Sequence, residues 1–286
     1  MTGPLIAPDA LAAQLGDPDL VILDIRSVVD GGGRAAYEAG HVPGAIHTDY
    51  VAGGWRVKDP GGGAGMLPDD ADLAALLGGL GIAPRSHVVV APAGVSPGDF
   101  AAAARVYWTL KVAGHDRLSM LDGGTAAWTR SGHPLETDLR APHSAPPYPV
   151  ARRDAFRAVL PQVERALAEG SATLVDTRND ASFAGEEKSP VAARAGRIPG
   201  SLQQEGARAY DRAANRLRPP AELEAAFPVP DGEVIAYCNT GQQAATNWFV
   251  LSEVLGRPAI RLYDGSLSEW TNDPSRPVET GRAATD

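Results

Sequence analysis

The stretch Glu233-Val-Ile-Ala-Tyr-Cys238-Asn239-Thr240-Gly241-Gln242-Gln243-Ala244-Ala245-Thr246-Asn247-Trp248-Phe249-Val250-Leu251 reads as a strand, a tight loop and the start of a helix. An apolar run ends at Cys238, a polar loop with one glycine follows, and a helical pattern begins beyond it. Short apolar strands set between helices belong to a buried parallel sheet with helices on both faces. Ligands collect at the carboxyl ends of the strands in such sheets, and Cys238 stands at that edge. Unpaired N–H groups and the positive end of the helix dipole surround a thiolate there. The thiolate is the nucleophilic form. An inert cysteine, behaving as a small hydrophobe, belongs instead within the strand or the helix stripe.

Working outward, the chain repeats itself. Val21-Ile-Leu-Asp24-Ile-Arg26 is answered by Thr173-Leu-Val-Asp176-Thr-Arg178, and Ala39-Gly-His-Val-Pro43-Gly44-Ala45 by Ala195-Gly-Arg-Ile-Pro199-Gly200-Ser201. Ser119-Met-Leu-Asp122-Gly-Gly124 with Trp128 is answered by Leu262-Tyr-Asp264-Gly-Ser266 with Trp270, and His133-Pro-Leu-Glu-Thr137 by Arg276-Pro-Val-Glu-Thr280. The landmarks keep their order, so two tandem domains of one fold are expected. The Pro-rich stretch from Glu136 to Tyr148 reads as an extended linker. The boundary falls at 143, giving domains 1–142 and 143–286. Helices are expected at Leu73–Leu80, with Asp69 or Asp70 as N-cap, at Phe100–Val112 and at Gln243–Leu255. Strands are expected at Leu20–Leu23, Val88–Ala91, Thr173–Val175, Val234–Tyr237 and Ile260–Tyr263.

Composition narrows the function. With 286 residues, 44% hydrophobic and 21% charged, the chain is long enough for two ordinary globular domains. A net charge of −9 argues against a nucleic-acid partner, which needs a basic face. No apolar run is long enough to span a bilayer, so no membrane is expected. One cysteine makes no internal disulfide, and the N-terminus shows no signal-like segment, so the cytoplasm is the expected location. Six histidines without CxxC or HxxxH spacing argue against a metal site.

Taken together, the Asp-x-Arg pairs, the (His/Arg)-(Val/Ile)-Pro-Gly-(Ala/Ser) turns, the Leu-Asp-Gly-Gly…Trp segment and the Cys-x-x-Gly loop resemble the tandem rhodanese-type sulfurtransferases. The resemblance runs over nearly the whole length. It implies two α/β rhodanese-like domains, each a mainly parallel sheet with helices on both faces, with the nucleophile only in the second. The first half agrees, because its corresponding strand end, Val88-Val-Val-Ala91-Pro92-Ala93-Gly94, has no cysteine. The implied chemistry is a Cys238 persulfide formed from a small sulfur donor, thiosulfate first and 3-mercaptopyruvate second. Cyanide, a thiol or a protein thiol would take the sulfur, with no metal or organic cofactor. The loop of Asn239, Thr240, Gly241, Gln242 and Gln243 would curl its N–H groups around the sulfur, with Gly241 permitting the tight turn. Arg178 is the cation placed with that loop. Its competing role is a structural ion pair with a nearby carboxylate.

The chain also departs from the family. Thiosulfate-using members carry basic residues after the nucleophile and mercaptopyruvate-using members carry Gly-Ser, whereas this chain has Asn239 and Thr240. Ser182 stands where many members have a donor-binding arginine. Gly65 stands where mercaptopyruvate-using members have a histidine. Arg194, Arg197, Arg208 and Arg212 are candidate replacements for the missing cation. Trp55, within the Gly-rich stretch Val51 to Gly65, is expected over the cleft between the halves, in a mobile lid. A phosphatase needs an arginine six residues after the nucleophile, and that position is Ala244. A persulfide carrier loaded by a partner protein is the other reading, because a neutral loop suits a protein thiol better than a small dianion. A pure binding module would leave Cys238 without purpose.

Overall fold

The computed structural model describes residues 3–142 and 145–281. The boundary expected at 143 lies outside the described residues. The chain divides into two compact units, one formed by Met1–Trp55, Pro68–Arg153 and Tyr210–Leu217, the other by Arg56–Leu67, Asp154–Ala209 and Arg218–Asp286. Each unit therefore contains a short segment drawn from the opposite half of the sequence.

The first unit runs β1 (Leu5–Ile6), α1 (Pro8–Ala12), β2 (Leu20–Asp24), α2 (Gly33–Ala39), β3 (Ile46–His47), α3 (Asp70–Gly79), β4 (His87–Ala91), α4 (Pro97–Val112), β5 (Leu118–Leu121) and α5 (Gly124–Arg130). Its five strands lie in the order β1-β5-β4-β2-β3, and every pairing is parallel. All five residues of β4 are buried, which is why its run of valines alternates with nothing polar. Asp69 caps α3, its carboxylate accepting from the Asp72 N–H at 2.8 Å. Ser96 caps α4 in the same way, accepting from the Asp99 N–H at 3.0 Å ahead of Pro97.

The second unit runs β6 (Arg157–Ala158), α6 (Leu160–Glu169), β7 (Thr173–Asp176), α7 (Asp180–Ala184) and β8 (Leu202–Gln203). The chain then forms an antiparallel pair in the first unit, β9 (Tyr210–Asp211) with β10 (Arg216–Leu217). Back in the second unit follow α8 (Pro220–Ala226), β11 (Val234–Tyr237), α9 (Gln242–Trp248), β12 (Ile260–Tyr263) and α10 (Ser266–Trp270). The strand order is β6-β12-β11-β7-β8, again wholly parallel and identical in topology to the first sheet. The helix expected over Gln243–Leu255 is α9 continued by a π-helical stretch, Phe249–Val254. Ile235, Tyr237, Tyr263, Leu267 and Trp270 form the centre of this unit's core. Full burial of each such side chain contributes roughly 1.5–3 kcal/mol.

Register fixes the correspondence between the units. Asp24 pairs with Ala91, and Asp176 pairs with Tyr237. Pro92 and Cys238 are therefore equivalent, each the first residue beyond its strand. Likewise Val90 pairs with Met120 and Ala236 with Leu262, so Gly124 corresponds to Ser266 and Ala126 to Ser268.

Candidate active site

Cys238 leaves β11 at the carboxyl edge of the sheet and is 2% exposed. Its Sγ accepts from the Gly241 N–H at 3.1 Å. Gly241 has φ +78°, a left-handed conformation that turns the loop back toward the sulfur and serves as the N-cap of α9. The corner between β12 and α10 holds the cysteine from the other side. The Cys238 N–H donates to Ser266 Oγ at 3.1 Å, the Leu267 N–H donates to the Cys238 carbonyl at 3.1 Å, and the Ser268 N–H donates to the Asn239 carbonyl at 3.0 Å. The remaining loop residues are neutral: Asn239, Thr240 and Gln242 are half-buried and Gln243 is exposed. The Asn239 Oδ1 is buried with no hydrogen-bond partner.

The equivalent loop in the first unit is filled from within. The Asp99 carboxylate, 1% exposed, accepts from the N–H groups of Ala93 at 3.0 Å, Gly94 at 2.6 Å and Val95 at 3.2 Å. Burial pushes its pKa up to about 6, against the opposing pull of those three hydrogen bonds. The loop thus folds into an anion-binding nest whose anion is part of the chain. Tyr210, from β9, lines the same spot beside Phe100, with ring centroids 6.1 Å apart.

Arg178, Arg194 and Arg197 are engaged elsewhere. Arg178 is 3% exposed and grips Asp176 from Nε (2.9 and 3.2 Å) and Nη2 (2.5 Å), while Nη2 also donates to the Gly196 carbonyl at 2.9 Å. Arg26 does the same in the first unit, gripping Asp24 and the Gly40 carbonyl at 2.9 Å. The shared geometry ties the end of a strand to the turn that carries the Pro-Gly pair, and needs no ligand to explain it. Arg197 bonds to Glu279 and to the carbonyls of Phe183 and Gly281. Arg194 bonds to the carbonyls of Thr271, Asp273 and Arg276. Arg208 lies 3.8 Å from Asp180, and Arg212 belongs to the first unit. Among the described residues, no group of three His, Cys, Asp or Glu side chains is placed to hold a metal ion.

The Gly-rich stretch divides in a way the sequence does not signal. Trp55 is fully buried in the first unit, its indole N–H donating to Thr48 Oγ1 at 2.8 Å, so it is core rather than cover. Arg56–Leu67 belongs to the second unit and is closed by a bridge between Val57 and Met66. The Ala64 N–H donates to Ser268 Oγ at 3.0 Å, and the Leu67 N–H donates to the buried carboxylate of Asp264 at 2.7 Å. Asp264 is itself gripped by the Arg157 fork, with both contacts at 3.0 Å. At Gly65 a Cβ would lie 2.4 Å from the Thr240 carbonyl oxygen, so only glycine lets this strap rest on the cysteine loop. Ser266, Ser268 and the strap are features that reading the sequence missed. The contrast of Gly124 with Ser266 is visible there, but its meaning depends on register.

Two parallel sheets of one topology, with a free thiol at the carboxyl edge of the second, set the frame for comparison with known proteins. The model of the rhodanese-like domain matches residues 7–131 and 160–273, and the chain belongs to that family, with two such domains. Among its relatives, "Thiosulfate sulfurtransferase" of Pseudomonas aeruginosa is 35% identical over 278 residues, covering 96% of each chain. "Probable 3-mercaptopyruvate sulfurtransferase" of the same organism is 37% identical over 291 residues, covering 97% of this chain and 98% of its own. "Sulfur carrier protein TtuD" of Thermus thermophilus is 30% identical over 296 residues, covering 97% and 96%. The crystal structure of the 3-mercaptopyruvate enzyme SseA from Escherichia coli superposes with a TM-score of 0.75 at 28% identity, over 93% of this chain and 99% of that one.

Proposed function

We propose that this sulfurtransferase moves a sulfane sulfur from a small donor, thiosulfate in the first place, to a thiophilic acceptor through a persulfide on Cys238. The observation that carries the reading is the thiol at the carboxyl edge of the second sheet, with the Gly241 N–H on its sulfur and Pro92 in its place in the first unit. The Cys238 thiolate attacks the outer sulfur of thiosulfate. The Sγ–S bond forms as the donor S–S bond breaks, and the electron pair leaves on sulfite. Cyanide or a thiolate then attacks the outer sulfur and the cysteine thiolate departs. Negative charge stays on sulfur throughout. Loop N–H groups therefore stabilise it without a resident cofactor. A lone cysteine without a disulfide partner suits a reducing compartment, and we place the reaction in the cytoplasm.

3-Mercaptopyruvate is the second donor. The persulfide-carrier reading is favoured by one observation, that Arg178 is neutralised by Asp176 and leaves the loop without a free charge of its own. Intact mass after incubation with each donor, then with cyanide, separates the three. Gain of one sulfur on Cys238 from thiosulfate, reversed by cyanide, is expected. Gain from 3-mercaptopyruvate alone would reassign the donor. Gain from neither, with loading by a protein persulfide, would make the chain a carrier.

A further inference from the structure

We infer that Ser266 is a positioning residue for the Cys238 nucleophile, held in a strained backbone conformation for that purpose. Its φ is +49°, and it is one of three non-glycine residues with positive φ among the described residues. Side chains adopt this region at a cost. The equivalent residue in the first unit, Gly124, has φ +61° and meets the same requirement without strain. The backbone around both is alike. The N–H groups of Thr125 and Ala126 donate to the carbonyls of Pro92 and Ala93, both at 2.9 Å, as those of Leu267 and Ser268 do to Cys238 and Asn239. The corner therefore needs glycine for its geometry, and the second unit puts serine there instead.

The reason lies across the gap. Pro92 has no N–H, so its partner needs no acceptor, and Gly124 offers none. Cys238 has a buried N–H, and Ser266 Oγ accepts it at 3.1 Å while donating its own proton to the Tyr263 carbonyl at 2.8 Å. Proline pairs with glycine in the silent unit, and cysteine with serine in the reactive one. The serine is 0% exposed and fully committed to these two bonds, so it does not touch a donor. It fixes the cysteine backbone, and with it the direction of Sγ toward the Gly241 N–H. Misplacing a reacting atom by a fraction of its reach is costly in rate, while donor binding, which depends on other groups, is left in place.

The inference rests on Cys238 being the sulfur-carrying nucleophile, and its test separates the two claims. Ser266→Gly removes the hydroxyl and relieves the backbone, whereas Ser266→Ala removes the hydroxyl and keeps the strain. The glycine variant is expected to melt higher than the alanine variant, because only it escapes the positive-φ penalty. Both are expected to lose kcat by about tenfold or more, with KM for thiosulfate within about twofold of the parent. Rate would thus follow the hydroxyl and not the stability. A folded Ser266→Gly enzyme with kcat within about twofold of the parent would overturn the inference. If the parent takes sulfur from neither donor, the proposed function fails. The rate of Cys238 alkylation by iodoacetamide then decides the inference alone. A change of about threefold or more in Ser266→Gly supports it, and equal rates overturn it.

Discussion

Arg178 and Arg26 hold the same grip in two places, and only one of them is near a thiol. Removing either leaves a buried aspartate unpaired, which costs about 3–5 kcal/mol. Arg178→Ala and Arg26→Ala are therefore expected to lower stability to a similar extent in denaturant unfolding. An Arg178→Ala protein of unchanged stability but greatly raised KM would make it a donor ligand instead. Cys238→Ser should fold and take up no sulfur, and a folded variant with full activity would refute the persulfide route. The repeated landmarks were legible in the sequence because they are structural. Asp-x-Arg meets the Pro-Gly turn, and Trp128 and Trp270 donate to the carbonyls of Pro134 and Pro277 at 2.8 and 2.9 Å. The proposed chemistry rests on what is not repeated: Cys238 against Pro92, and Ser266 against Gly124. Those differences read as ordinary variation until register and φ give them a direction.

At the scale of elements, two loops behave differently from their sequence. The Asp99 carboxylate is an acidic residue in the first turn of α4, and nothing in its spacing says that it reaches back into the preceding loop. Its pKa of about 6 exceeds the unfolded value of 3.8, so the fold favours the protonated form. Its contribution to stability is fully present below the unfolded value and is lost as pH rises through about 6. His87 and His115, whose pKa values burial lowers, act in the opposite sense, losing stability as pH falls through the unfolded value of 6.5. The measurement is therefore a difference. Between pH 7.5 and pH 5, wild type should gain stability relative to Asp99→Asn, and parallel curves would show that Asp99 does not titrate there. The strap Arg56–Leu67 was equally hidden, because its glycines and polar residues pack through backbone bonds. Ser268→Ala removes the acceptor of the Ala64 N–H. Losing one such bond, about 1 kcal/mol, should speed alkylation of Cys238 about fivefold through easier opening. An unchanged rate would show that the strap does not guard the thiol.

At the scale of the whole molecule, the two families of strands were readable because each sheet is built from contiguous apolar runs. The exchange of Arg56–Leu67 and Tyr210–Leu217 was not, since neither has the periodicity that reports burial. A chain stopped after Arg153 keeps all five strands of the first sheet but lacks Tyr210, which lines the Asp99 loop. Such a fragment should unfold at a lower temperature than the same fragment carrying residues 206–219 on a flexible tether. Equal melting would show that the segment contributes nothing.

The exchange also sets a schedule for the ribosome. Domains usually close in turn as they emerge, the N-terminal one first. Here the first unit waits for Leu217, when three-quarters of the polypeptide has been made. The second takes up Arg56–Leu67, translated long before its own sheet exists. The first unit is complete before β11 and β12 of the second exist, so during synthesis the strap reaches the cysteine loop only once its own sheet is out. The strap, made early, finds the loop it rests on only late in synthesis.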